Sequence, residues 1–130
     1  MSPPPAPSLL RDSRGHLLGT MSHAAADHAE TALWRLLAHQ DDPLADLQAA
    51  AAEDPGWVMP PLMQAGHLLA LCEPARRADA CALLDQAEVL AGGATPRERS
   101  HLEAVRALAD GRSHHACRVW DDLLLDHPRD

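Results

Sequence analysis

The sequence predicts an all-α fold of about six helices paired into hairpins. Three observations carry this expectation. Ala and Leu, both strong helix formers, make up about a third of the 130 residues. Tyr, Phe and Ile are absent, and with them most of the residues that build sheets. Apolar residues also recur at helical spacing between short breaks rich in Pro and Gly. A β-sandwich, a barrel or a doubly wound sheet is therefore not expected.

The chain begins with Ser2-Pro3-Pro4-Pro5-Ala6-Pro7-Ser8. Consecutive prolines cannot form a helix interior, so residues 1–10 read as a disordered, extended tail. Residues 11–130 read as the folded domain. Thr20 or Ser22 can cap the first helix. Ala29, Ala32, Leu33, Leu36 and Leu37 then share one helical face, and Asp41-Asp42-Pro43 stops it. Leu44, Leu47, Ala50 and Ala51 form a second stripe, ended by Asp54-Pro55-Gly56. A third helix over about 61–71 points Leu62, Ala65, Leu68 and Leu69 inward. Pro60-Pro61 fits only at or before its first turn. After Glu73-Pro74, a fourth helix carries Ala80, Leu83, Leu84, Ala87 and Leu90 to a stop at Gly92-Gly93. Thr95-Pro96-Arg97-Glu98 is a capping box with Pro at the first helical position. Leu102, Val105, Leu108 and Ala109 follow, and Gly111 provides a left-handed stop. The sixth stripe is Ala116, Val119, Trp120, Leu123 and Leu124, closed by His127-Pro128.

Pairing these helices exposes a weak period of about 34 residues, the tetratricopeptide length. The units run over about 22–56, 57–93 and 95–130. The last is clearest, with Ala104 on its first helix and Ala116, Trp120 and Pro128 after it. In the middle unit Ala80, Leu84 and Ala87 repeat the second-helix spacing, and Gly66 is the candidate small residue on the first helix. The first unit carries Trp34, then Leu47, Ala50 and Pro55. Small residues suit close helix crossings, and bulky ones fill the grooves beside them. The expected architecture is a right-handed solenoid of tetratricopeptide-like hairpins; a plain antiparallel bundle is the alternative.

Specific stretches sharpen this. Asp12-Ser13-Arg14-Gly15, then Leu18, Thr20 and Ser22, precede an Ala-rich helix. Glu53-Asp54-Pro55-Gly56 closes the first unit. Ala94-Thr95-Pro96-Arg97-Glu98-Arg99-Ser100-His101 opens the third, with Gly111, Ala116 and His127-Pro128-Arg129-Asp130 beyond it. Over residues 11–130 this resembles the tetratricopeptide repeat protein 38 family and its bacterial relatives. The resemblance implies a helical-repeat solenoid and a scaffold role. Family members are several-fold longer, which implies that this chain corresponds to their N-terminal part and is truncated. Ala or Leu stand here where many tetratricopeptide repeats place Tyr or Phe, so thinner packing is expected.

Net charge is −8 with every cation an Arg, which argues against nucleic acid and anionic membrane surfaces as partners. No apolar run approaches the ~18 residues of a membrane span. The start lacks a basic segment followed by an apolar one, so no signal peptide is expected and the cytoplasm is the expected compartment. Cys72, Cys81 and Cys117 lack metal spacing and read as reduced thiols. Nine His raise metal binding as an alternative, yet His23 and His28 miss the i, i+4 spacing and no HExxH occurs. No GxSxG or phosphate loop appears. No catalytic residue, cofactor or metal is therefore expected.

The expected function is a non-enzymatic scaffold that binds a protein or peptide. The alternatives are a truncated fragment without independent function and a His-rich, metal-dependent regulator or enzyme. In the repeat register, the first helices present His28, Arg35, Met63, His67, Glu98, His101, Val105 and Leu108 toward a partner groove. The last helix is expected to leave Val119, Trp120, Leu123 and Leu124 partly uncovered and to favour self-association. Light scattering over a concentration series checks this: dimer should accumulate, and a strictly monomeric chain overturns the expectation.

Overall fold

A computed structural model describes residues 9–40 and 42–130. The Pro-rich stretch up to residue 8, read from sequence as a tail, lies outside the described residues. The described residues form six helices and no strand: α1 (His23–Ala38), α2 (Pro43–Glu53), α3 (Met59–Ala70), α4 (Pro74–Leu90), α5 (Pro96–Ala109) and α6 (Ser113–Asp126). A short 3₁₀ turn, Ala91–Gly93, follows α4.

The helix starts follow from local chemistry. The Ser22 hydroxyl accepts from Ala25 N at the start of α1 and the Asp42 carboxylate from Leu44 N at α2. Pro43, Pro74 and Pro96 each open a helix, where a missing N–H costs nothing. The capping box at Thr95 is complete: its hydroxyl accepts from Glu98 N, and its own N–H reaches Glu98 Oε1 at 3.0 Å. Gly111 takes φ +77° after α5, as the stop signal required. In α3, Pro60 and Pro61 are both helical and buried, so this helix begins slightly earlier than the sequence suggested.

The helices pack as successive antiparallel pairs, α1 with α2, α3 with α4 and α5 with α6. The pairs stack through α2 on α3, α4 on α5 and α3 on α5. The main core joins Val58, Leu62, Ala65 and Leu68 at and along α3 and Ala80, Leu84 and Ala87 of α4 with Leu102 and Val105 of α5. Leu47, Leu62 and Leu84 are completely enclosed, each worth about 2 kcal/mol of apolar transfer. A second cluster, Ala104, Ala107 and Ala116, forms the close α5–α6 contact, where small side chains let backbones approach.

Three packing expectations need correction. Gly66 is not at a close crossing, because a Cβ there would meet nothing within 4 Å; the enclosed small residue is Ala65. Trp34 and Leu37 of α1 are 62% and 66% exposed. Of the expected stripe Ala29 and Ala32 are buried, with Ala25 beside them, while Leu33 and Leu36 are only half-buried; the face is rotated toward the alanines because α1 lies against α2. In α6, Leu123 is buried and not partly uncovered, whereas Leu124 is 42% exposed.

Ahead of α1, residues 9–21 form a tight turn that the helical reading did not anticipate. Leu10 N donates to Thr20 O, Leu18 N to Leu10 O, and Asp12 N to His16 O, with an isolated antiparallel bridge between Arg11 and Leu17. Leu10 therefore belongs to the fold and not to a tail. The turn is organised by Asp12, whose carboxylate accepts from Arg14 N and His16 N at 2.9 and 2.8 Å, and by Gly15 at φ +87°. Leu18 packs with Ala25, Ala29, Ala50 and Trp57 in a core of its own.

Gly19 in this turn lies directly on α5. A Cβ there would overlap Glu98 Oε1. Gly19→Ala should therefore displace the buried carboxylate and cost about 2–3 kcal/mol, read as a lower urea midpoint with unchanged helical circular dichroism.

Candidate functional site

Two polar constellations meet at the start of α5. The first centres on Glu98, which has no solvent exposure. Its carboxylate accepts from Thr95 N, from Gly19 N at 3.1 Å and from Trp57 Nε1 at 2.8 Å. These donors come from the helix's own cap, the N-terminal turn and the start of the second helix pair. Thr20, next to Gly19, donates its hydroxyl to Asp54 Oδ2 at 2.5 Å. Ser13 donates to Glu30 of α1 at 2.6 Å. The turn is thus tied by side chains to α1, to the α2–α3 connection and to α5.

The second constellation centres on Asp130. Arg97 holds it in a two-pronged pair, Nε to Oδ2 at 2.7 Å and Nη2 to Oδ1 at 2.6 Å, and both side chains are more than nine-tenths buried. His101 Nε2 lies 2.8 Å from Oδ2. Trp120 Nε1 donates to His101 Nδ1 at 3.1 Å. Because the indole N–H can only donate, Nδ1 is the accepting nitrogen and Nε2 carries the proton toward Asp130. The result is a directed chain from α6 through α5 to Asp130. Burial pushes the Asp130 carboxyl upward, but the hydrogen bonds from His101 and Arg97 and the charge of Arg97 outweigh it and hold the group well below the usual carboxylate range. At Asp12, burial is likewise outweighed by hydrogen bonds from His16 and Arg14, and the carboxyl is lowered.

Between these constellations and α1 lies a cavity of 40 Å³. It is lined by Asp12, Arg14 and Leu18 of the turn, Glu30 and Leu33 of α1, Trp57, Met63 of α3 and Arg97 of α5. The α1, α3 and α5 helices therefore do converge on one face, and the turn covers it. A larger open groove of 540 Å³ lies along α5 and α6, with Ser100, His115, Arg118, Asp122 and His127 among its walls.

The eight sequence-predicted groove residues do not form one surface. Met63 lines the small cavity. Arg35 and His67 share a separate open groove of 400 Å³, and Arg35 pairs with Asp46 at 2.6 Å. His28 is half-buried on α1. Glu98 and Val105 are buried and face the interior, which removes them from an open groove. His101 is turned toward Trp120 and Asp130. Leu108 packs against the α5–α6 alanine cluster. The reason is register: α5 points its Glu98–Val105 stripe at the second helix pair and the turn, not outward.

The residues missed from sequence are Asp12, Arg14, Trp57, Arg97 and Asp130. A signal existed for the first two, since Asp-Ser-Arg-Gly is an Asx-turn composition. Arg97 and Asp130 carried none, being 33 positions apart with the pairing made only by the fold. Among the described residues no three His, Cys, Asp or Glu side chains gather to hold a metal ion. No helix among the described residues is long and apolar enough to cross a membrane. No protein-family model matches this sequence, and no solved structure matches it.

The Asp130 clamp has a pH signature. A carboxyl lowered by folding contributes stability above its unfolded value near 3.8 and loses it as pH falls through the lower folded value. Asp130→Asn should cost about 3 kcal/mol at neutral pH. The gap between variant and wild type should persist at pH 5 and narrow only below about pH 4. Urea unfolding across this range measures it.

Proposed function

We propose that this protein is a tetratricopeptide-like repeat scaffold that binds an extended protein segment and performs no catalysis. The observation that carries this reading is the common face of α1, α3 and α5, on which residues 9–21 of the chain itself already lie. Gly19 offers its N–H to Glu98 and Thr20 its hydroxyl to Asp54, contacts of the kind a groove makes to a non-helical segment. Three stacked antiparallel pairs, with the first helix of each turned to one side, support the solenoid arrangement. The tetratricopeptide repeat protein 38 resemblance accords with it.

In this reading the native turn fills the inner part of the face. The partner segment lies beside the turn, along Met63 and Leu33, both half-buried and both lining the cavity. The two Arg–Asp pairs hold the surrounding polar groups in fixed positions, so little side-chain entropy is lost when a partner arrives.

Photo-crosslinking tests the assignment. Replacing Met63 with a photoreactive amino acid should give a discrete protein adduct in cells. The same replacement at Val89, which is 84% exposed on α4, should give none. Adducts from Val89, or from neither position, overturn the reading.

A further inference from the structure

The covered face holds two hydrogen-bond donors that no group among the described residues receives. Arg97 Nη1 and Arg14 Nε are buried and unpartnered. Arg97 is only 6% exposed, and its Nε and Nη2 donate to Asp130. Arg14 places Nη2 on Asp12. Both side chains line the same 40 Å³ cavity. Buried donors on charged groups are costly to leave without an acceptor, so the cavity suits a group that brings one.

Charge decides the kind of group. Arg14 is neutralised by Asp12 and Arg97 by Asp130. Glu30 adds a further negative charge to the cavity wall. A carboxylate would enter a site with no net positive charge. An ammonium would bring no acceptor. An uncharged amide answers both sides: its C=O can receive the guanidinium N–H groups, and its N–H can face Glu30, which already takes the Ser13 hydroxyl. The remaining walls, Leu33, Trp57 and Met63, suit the carbon atoms on either side. The volume admits a group of a few heavy atoms and not an aromatic ring.

We propose that this cavity is an amide-recognition site, taking a peptide unit or a primary-amide side chain with its oxygen between Arg14 and Arg97. This rests on the groove reading above and names the chemistry that the docked segment presents there. Arg14 and Arg97 come from the turn and from α5, so the site is complete only when the turn is seated.

NMR titration of the full chain tests it, following the Arg Nε–H and Trp57 indole signals. N-methylacetamide stands for a backbone unit, acetamide for a primary amide and acetate for an anion, all at one ionic strength. At least one amide should give saturable shifts, and which of the two binds tighter identifies the source. Arg14→Met should weaken that binding at least tenfold. This variant keeps the fold, because Asp12 still accepts the backbone N–H groups of residue 14 and His16; the undisturbed Trp57 indole signal verifies this. Tighter binding of acetate, or no saturation with either amide, overturns the proposal. A saturable amide shift without a Met63 crosslink would overturn the groove reading alone. A Met63 crosslink without the shift would overturn the amide site alone.

Discussion

Glu98 has no access to water, and it receives an N–H group from each of three parts of the chain. In an isolated helix its capping-box bond would contribute on the order of 1 kcal/mol. Here the same carboxylate also binds Gly19 and Trp57. Removing it would leave two further donors buried without an acceptor, and that penalty exceeds the gain from any one bond. A local capping device has become the point at which the turn, the second helix pair and the third helix pair are held in register. Gly19 is glycine because no other residue lets a backbone N–H come this close to the carboxylate.

The rest of the molecule is arranged around that point. Trp57 presents its indole N–H to Glu98 while its ring packs with Leu18, Ala25, Ala29 and Ala50. Leu18 and Trp57 thereby form a core between α1 and the later helices, separate from the main core. Arg97, the neighbour of Glu98 in sequence, turns the other way and clamps Asp130. Asp130 in turn holds His101, and His101 receives Trp120. One turn of helix therefore serves two networks on its two sides.

This arrangement changes how the candidate groove reads. Sequence logic placed polar and apolar residues of the first helices on an empty concave face. Met63 instead lines a small cavity that the turn helps to enclose. That logic failed for Glu98 and Val105, because α5 is turned by the demand of Glu98 for three donors and by the core contact of Val105. The turn at residues 9–21 was not visible to helical periodicity at all: a dozen residues with alternating exposure carry no 3.6-residue signal. Only its Asp-Ser-Arg-Gly composition marked it.

The sequence alone determined the helices and their ends. Apolar spacing, proline at helix starts, Ser22, Thr95 and Gly111 are local devices, and each acts within one or two turns of chain. It also accounted for the absence of strands among the described residues, through the scarcity of β-branched and aromatic residues. Only the tertiary structure decided how each helix is rotated against its neighbours, as the exposed Trp34 and Leu37 of α1 illustrate. It alone decided that Arg97 would meet Asp130 and that Glu98 would meet Gly19 and Trp57. Those contacts span 33 to 79 positions. They are set by helix rotation and by the closest approach that alanine and glycine permit, and no local pattern encodes either quantity.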